Sequence, residues 1–373
     1  MQGALAVFLI MLGVAQLASV VLGLRAVSLV GPNRWLGSAV GLGLIVAGAA
    51  ILPQSIYVLL WTPLLVVPVL LALFLAGSYI LPVPHPNLLF SAADPAHGSC
   101  RFVRISDGDS EMPGYLLRPA SAAQKSPVRG AAVCIVPGAG DTKTSFKWRL
   151  IRVLLDQGLT VLTIDPPGHG DNRRRVLSYP DCLSAIPAAI KFLRDQPGIT
   201  RVGLIGISLG GALAIRALAE EAKIGRYQVQ ALVVFATPVR LNYHRALFYR
   251  EAWRTLYRSP VMSLFKETTL KQIRESWTTG GYRSQHRTSE LFDLLEPAKS
   301  ISALDRIPIL LVYSQRDPVA PADQALMMRR AASHASFLQE KKASHVMLTL
   351  NPQINGRVAA WLSDQLRLSG AGQ

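Results

Sequence analysis

Acidic side chains are missing from the first quarter of the chain. Residues 1 to 93 of 373 hold none of the 23 Asp and Glu and only two of the 39 Lys and Arg, Arg25 and Arg34. With 50% hydrophobic and only 17% charged residues, the whole is too apolar for an ordinary soluble enzyme, and the excess is localised there. Cysteine is scarce as well. Cys100, Cys134 and Cys182 lie far apart with no CxxC or Cys/His ligand spacing, which excludes a disulfide miniprotein and gives no metal site. They read as reduced and structural, and the apolar run around Cys134 argues against a catalytic thiol there. Neither GxxxxGK[ST] nor a well-placed GxGxxG is present, which removes P-loop and dinucleotide use. No cofactor and no metal ion is called for. Disorder and collagen-like repeats are excluded too.

What the first 81 residues do have is three apolar runs: 2–24, 36–52 and 56–81. A bilayer core of about 30 Å needs about 20 apolar residues per helix, so the expectation is three transmembrane helices. Gly37, Gly41 and Gly48 would let a neighbouring helix approach the second closely. Arg25 and Arg34 flank the first connection, so the positive-inside rule puts that loop and the following domain on the cytoplasmic side of a multi-pass integral membrane protein. The rival is a cleaved signal peptide, which would leave two helices and an external domain. It is disfavoured because no Lys or Arg precedes the first run, which is also longer than an h-region. Residues 82–100, with Pro82, Pro84, Pro86 and Pro95, read as a stiff linker.

Residues 101–370 have a globular composition. Beyond Ala93 lie 37 basic and 23 acidic side chains, a net charge of +14, within the usual size of one large domain. Short stretches at 101–106 and 114–118 predict an opening hairpin. Four apolar, β-branched runs follow at 131–136, 159–164, 201–207 and 231–236, alternating with helix-length segments at 145–157, 181–195 and 209–222. Further strands are expected at 309–313 and 336–340, with helices near 322–332 and 354–366. Strands this apolar have no wet face, so the pattern predicts a mostly parallel sheet covered by helices on both faces. The stretch from about 239 to 300 breaks the alternation and is too long for a connecting loop. Residues 238–288 carry ten Lys and Arg against three Glu, and 242–258 predicts a basic amphipathic helix.

Gly206-Ile207-Ser208-Leu209-Gly210 follows a predicted strand and opens a predicted helix, the context in which GxSxG exposes a nucleophile on a sharp turn. Ser208 is the candidate nucleophile. A serine hydroxyl needs a base, and the base needs a carboxylate to hold its tautomer. Both are expected on loops at the carboxyl ends of later strands. Asp317 lies just beyond 309–313 and His345 beyond 336–340. The other histidines lie in the insertion, the linker, the turn after 159–164 or near a helix end. No acid occurs between Glu221 and Glu251, which leaves Asp293 and Asp305 as rivals to Asp317. Oxyanion donors are assigned to the backbone N–H of Leu209, directly after the nucleophile, and of Ala139 in Pro137-Gly138-Ala139-Gly140.

With these motifs in this order, and with Asp165-Pro166-Pro167-Gly168-His169-Gly170-Asp171 between the first two, the chain resembles the α/β-hydrolase superfamily over roughly residues 100 to 367. The resemblance implies an α/β-hydrolase fold, a structural role for the Asp165 turn, and a cap formed by the insertion. Two positions depart from the pattern. Pro137 replaces the usual His of the oxyanion loop, and Ser314 replaces the Gly before the acid motif. The resemblance further implies a serine hydrolase that cleaves a carboxylic ester through an acyl-enzyme. Thioester or amide substrates use the same machinery. The anchor and basic insertion suggest a lipid or other small-molecule ester at an anionic leaflet. A silent scaffold binding a membrane partner is the alternative of another class. Nucleic acid ranks last, because the charge carries no recognised nucleic-acid motif.

Overall fold

The computed structural model describes residues 2–22, 34–51, 98–120, 128–145, 147–226, 229–241, 251 and 282–371. The chain divides into two compact units, an N-terminal pair of helices and a sheet domain.

The N-terminal pair is Gln2–Leu22 and Arg34–Ile51, packed against each other through small residues. A Cβ on Gly13 would come within 2.6 Å of the Gly41 carbonyl oxygen, and one on Gly48 within 2.7 Å of the Ala6 carbonyl oxygen. Gln16 is buried in the same seam and its Nε2 donates to the Gly37 carbonyl at 3.4 Å. These helices correct the transmembrane expectation. Among the described residues, no helix is long and apolar enough to cross a membrane. The multi-pass integral placement is thereby corrected, and the described helices give the membrane as partner no support. Apolar runs record a preference for leaving water, and a helix partner satisfies that preference as well as lipid does. The third run, 56–81, and the linker up to 97 lie outside the described residues.

The second unit is built on eight strands: β1 (Ser99–Asp107), β2 (Ser110–Arg118), β3 (Ala131–Val136), β4 (Thr160–Ile164), β5 (Arg201–Ile207), β6 (Ala231–Phe235), β7 (Ile309–Ser314) and β8 (Ser336–Glu340). Their order across the sheet is β1-β2-β4-β3-β5-β6-β7-β8. The β1–β2 and β2–β4 pairs are antiparallel, and every other pair is parallel. Burial follows position. Every residue of β3, β4, β6 and β7 is buried, as a sheet covered on both faces requires. The edge strand β1 alternates from Phe102 to Asp107 and keeps one wet face, and β8 buries only Leu338. Each buried Val, Leu or Ile contributes about 1.5–3 kcal/mol.

Helices Trp148–Asp156 and Pro352–Ala371 pack together, and Ala185–Arg194 and Leu209–Lys223 form a second group. The first helix buries Trp148, Leu150, Ile151, Leu154 and Leu155, a one-sided stripe at helical spacing. Gly203 in β5 lets the last helix close on the sheet, since a Cβ there would stand 3.3 Å from Leu362 and 3.4 Å from Leu366. Part of the predicted 181–195 helix is a tight 3-10 turn, Asp181–Ser184, with the α-helix starting at Ala185. The insertion is described at 239–241, 251 and 282–300. Apart from Glu251, the predicted 242–258 helix lies outside the described residues. The returning segment packs Tyr282, Leu291, Phe292 and Leu295 against Leu177, Cys182, Leu209 and Leu213, so it rests on the helix that follows Ser208.

Candidate active site

Ser208 joins β5 to the helix Leu209–Lys223 at φ 51°, ψ −116°, a left-handed conformation that strains any residue with a side chain. Hydrogen bonds hold it there. Its N–H donates to the Phe235 carbonyl at 2.8 Å, and its carbonyl accepts from Gly211 N at 3.0 Å and Ala212 N at 3.2 Å. Thr237 Oγ1 adds a donor to the same carbonyl at 3.0 Å. The flanking glycines are required by space. A Cβ on Gly206 would lie 2.4 Å from Gly211 Cα, and one on Gly210 2.4 Å from the carbonyl oxygens of both Val136 and Pro137. On Gly211 it would lie 1.9 Å from Thr237 Oγ1.

Those contacts also bring the loop after β3 to the elbow. A Cβ on Gly138 would stand 3.3 Å from Ser208 Cβ, so the Pro137–Gly140 backbone passes directly beside Ser208. Asp141 N closes a turn on the Gly138 carbonyl at 3.1 Å, and Ala139 lies within that turn. Leu209 is the first residue of its helix, where a backbone N–H has no intrahelical carbonyl to bond.

Asp317 and His345 stand together beyond β7 and β8. His345 Nδ1 and Asp317 Oδ2 are 2.7 Å apart. Because a carboxylate can only accept, Nδ1 carries the hydrogen, and in the neutral ring Nε2 is left with its lone pair. The other Asp317 oxygen accepts from Val319 N at 2.7 Å and Ala320 N at 2.9 Å. Burial disfavours the His345 imidazolium. Asp317, through charge and hydrogen bond, and then Glu251 and Asp141 outweigh it and push the pKa up to about 9. Asp141 itself is raised by burial, against the pull of Lys147 and His345.

The rivals stand elsewhere. Asp293 and Asp305 are exposed. His286 Nε2 accepts from Tyr179 N at 3.3 Å, and His334 Nε2 lies 3.3 Å from the Ile307 carbonyl. His85, His97 and His244 lie outside the described residues. His169 is fully buried, stacks on Tyr282 with ring centroids 4.9 Å apart, and is pulled down to about 4 by burial. Burial pushes the Cys134 thiol well above its ordinary range. The Asp165 turn is tied by charge: Asp165 accepts from Lys143 N at 2.6 Å, Lys143 Nζ at 2.5 Å and Asp171 N at 2.9 Å. Its Gly170, at φ 45°, has no room for a side chain, because a Cβ would meet Asp165 Oδ2 at 2.3 Å. Among the described residues, no group of three or more His, Cys, Asp or Glu could hold a metal ion.

Three contributors were invisible in the sequence. Ser314, the departure before the acid motif, donates from Oγ to the Ala343 carbonyl at 2.6 Å and accepts from Arg316 N at 3.3 Å, stitching the Asp317 loop to the His345 loop. Thr237 braces the elbow. Glu251 reaches from the insertion to the backbone of His345 and Val346 at 3.0 and 2.7 Å.

Solved structures share this architecture at low identity, which speaks for the fold alone. An esterase of Pyrococcus furiosus is 18% identical, with 74% of this chain and 94% of that one covered at a TM-score of 0.50. DcsB, solved with a substrate analogue, is 16% identical, covering 72% and 99% at 0.53. The 2,6-dihydroxy-pseudo-oxynicotine hydrolase is 19% identical, covering 89% and 83% at 0.51. A comparison with curated proteins by sequence found no match. The alpha/beta hydrolase family matches residues 133–354, a span that runs from within β3 past His345. On that match and this sheet, the chain belongs to the alpha/beta hydrolase family.

Proposed function

We propose that this protein is a serine hydrolase that cleaves a carboxylic ester of a small molecule, with Ser208 as nucleophile, His345 as general base and Asp317 as its orienting carboxylate. The observation that carries the reading is the 2.7 Å contact between His345 Nδ1 and Asp317 Oδ2, with the other carboxylate oxygen held by two backbone N–H groups. That arrangement presents Nε2 as the proton acceptor. In the reaction His345 Nε2 takes the Ser208 proton as Oγ bonds the carbonyl carbon. The developing oxyanion accepts from the N–H groups of Leu209 and Ala139, each worth about 10²–10³ in rate. His345 then returns the proton to the leaving alcohol, and the acyl-enzyme forms. Water, deprotonated by the same nitrogen, attacks the acyl carbon and releases the acid with Ser208 restored. The choice of an ester leans on the Pyrococcus furiosus neighbour being an esterase.

The test is fluorophosphonate labelling of the purified protein beside Ser208→Ala, His345→Ala and Asp317→Asn, followed by a panel of ester, thioester and amide substrates. Labelling is expected to vanish in Ser208→Ala and to slow by at least about 10³-fold in His345→Ala. A folded wild-type protein that takes no label overturns the reading. A panel in which only thioesters or amides turn over overturns the ester.

A further inference from the structure

We infer that Glu251 is a positioning residue for His345, by which the insertion holds the loop that carries the base. The inference rests on the reading of His345 as general base.

The geometry is specific. Both oxygens of Glu251 are used on successive amides: Oε2 accepts from His345 N at 3.0 Å and Oε1 from Val346 N at 2.7 Å. These amides open the helix His345–Leu350, only six residues long and too short to hold itself in water. Its other end is pinned from the sheet domain, where Arg149 Nη1 donates to the Leu350 carbonyl at 2.7 Å and Asn355 Nδ2 to the Thr349 carbonyl at 2.9 Å. At the end where His345 sits, Glu251 holds the first two amides, next to the Ser314 Oγ bond to the Ala343 carbonyl, and the residue is only 9% exposed.

Composition makes the contact more telling. Between Glu221 and Glu267, Glu251 is the only acidic residue, in a stretch that includes Arg245, Arg250, Arg254 and Arg258. The one carboxylate of that stretch accepts from two successive backbone amides, the first of them that of His345. Three carboxylates therefore act on His345, each from a different element: Asp317 after β7, Asp141 after β3 and Glu251 from the insertion. Asp317 orients the ring through Nδ1. Glu251 fixes the backbone from which the ring projects and adds a negative charge that favours the protonated form generated during proton transfer.

A merely structural anchor would change stability and leave the base's titration alone. The test is therefore an NMR titration of His345 in full-length wild type, E251Q and E251D, with the resonance assigned from His345→Asn. Fluorophosphonate inactivation rates are measured against pH in parallel, with Ser208→Ala as control. E251Q is expected to lower the His345 midpoint by roughly one unit, to move the acid limb of inactivation with it, and to slow the plateau rate about tenfold. E251D, which keeps the charge on a shorter arm, is expected to restore the midpoint more fully than the rate. A wild-type midpoint in folded E251Q overturns the inference. Should E251Q not fold, E251D decides: a wild-type plateau rate in folded E251D overturns the inference. Because the titration needs no turnover, an unlabelled wild type with the expected NMR shift would remove the hydrolase reading and leave the Glu251–His345 link standing.

Discussion

The charge state of His345 ties stability and, on the proposed mechanism, activity to pH in opposite directions. Its pKa rises from the ordinary 6.5 to about 9, and at about 1.4 kcal/mol per unit the displacement amounts to about 3 kcal/mol. The side chain is 15% exposed, so solvent screening removes little of this. A pKa raised on folding means that the folded state holds the proton more tightly. The stabilisation is complete below about pH 6.5, falls as pH rises from there, and is gone once pH has passed about 9. The proposed mechanism needs the neutral ring. The rate constant for fluorophosphonate inactivation is therefore expected to climb about tenfold per unit toward a plateau above about pH 9, with about 1% of the plateau reached at pH 7. Urea unfolding of wild type and His345→Gln over pH 6 to 10 measures the first effect, the difference between the two shrinking by about 3 kcal/mol. Inactivation rates over the same range measure the second. An acid limb at or below 6.5, or a difference in unfolding free energy independent of pH, would refute the reasoning that the surrounding carboxylates outweigh burial at this histidine.

Four further outcomes follow from packing at the site. Gly210→Ala gains about 1 kcal/mol of helix propensity but drives a methyl to 2.4 Å from two carbonyl oxygens. Overpacking of about 1–3 kcal/mol or more should win, seen as a lower urea midpoint together with lost labelling. Ser208→Gly relieves the strained φ of 51° and should raise the melting free energy by about 1 kcal/mol while abolishing labelling. Lys143→Met leaves Asp165, which is fully buried, without its cation and should cost about 3–5 kcal/mol in thermal unfolding. Ser314→Ala removes the 2.6 Å bond to the Ala343 carbonyl and should cost about 1–3 kcal/mol, with kcat/KM for an ester falling as the Asp317 and His345 loops drift apart.

What could be read from the sequence were features whose cause is local. Ala131–Val136 is apolar at every position and Ile309–Ser314 at all but its last, because both faces of a central parallel strand are covered, and the structure buries each of their residues. Gly206, Gly210 and Gly211 stand close to Ser208 in the chain because the elbow has no room for side chains, so a short pattern carried the turn. Asp317 and His345 could be nominated because each falls just past a strand, and the structure places them 2.7 Å apart. Hydropathy failed at the N-terminus for a reason equally local. An apolar run states what a segment avoids and leaves open what it touches, whereas the close approach of a neighbouring helix expected at Gly41 and Gly48 is what Gly13 and Ala6 supply.

The supports of the site escaped because their causes are distant. Ser314 and Ala343 are 29 residues apart, as are Thr237 and Ser208, and Glu251 reaches across 94 residues to His345. No periodicity or motif spans such separations, since they come about only when the sheet assembles. Ser314 shows the consequence. Against a family pattern it reads only as a departure, yet its hydroxyl binds the Asp317 loop to the one carrying His345, a link that glycine, with no side chain, could not make. Glu251 carries the same lesson further. By sequence it falls in a segment predicted as a basic amphipathic helix, and only the folded backbone reveals that the sole carboxylate between Glu221 and Glu267 is directed at the amides of His345 and Val346, the first of them the residue on which the proposed proton transfer would depend.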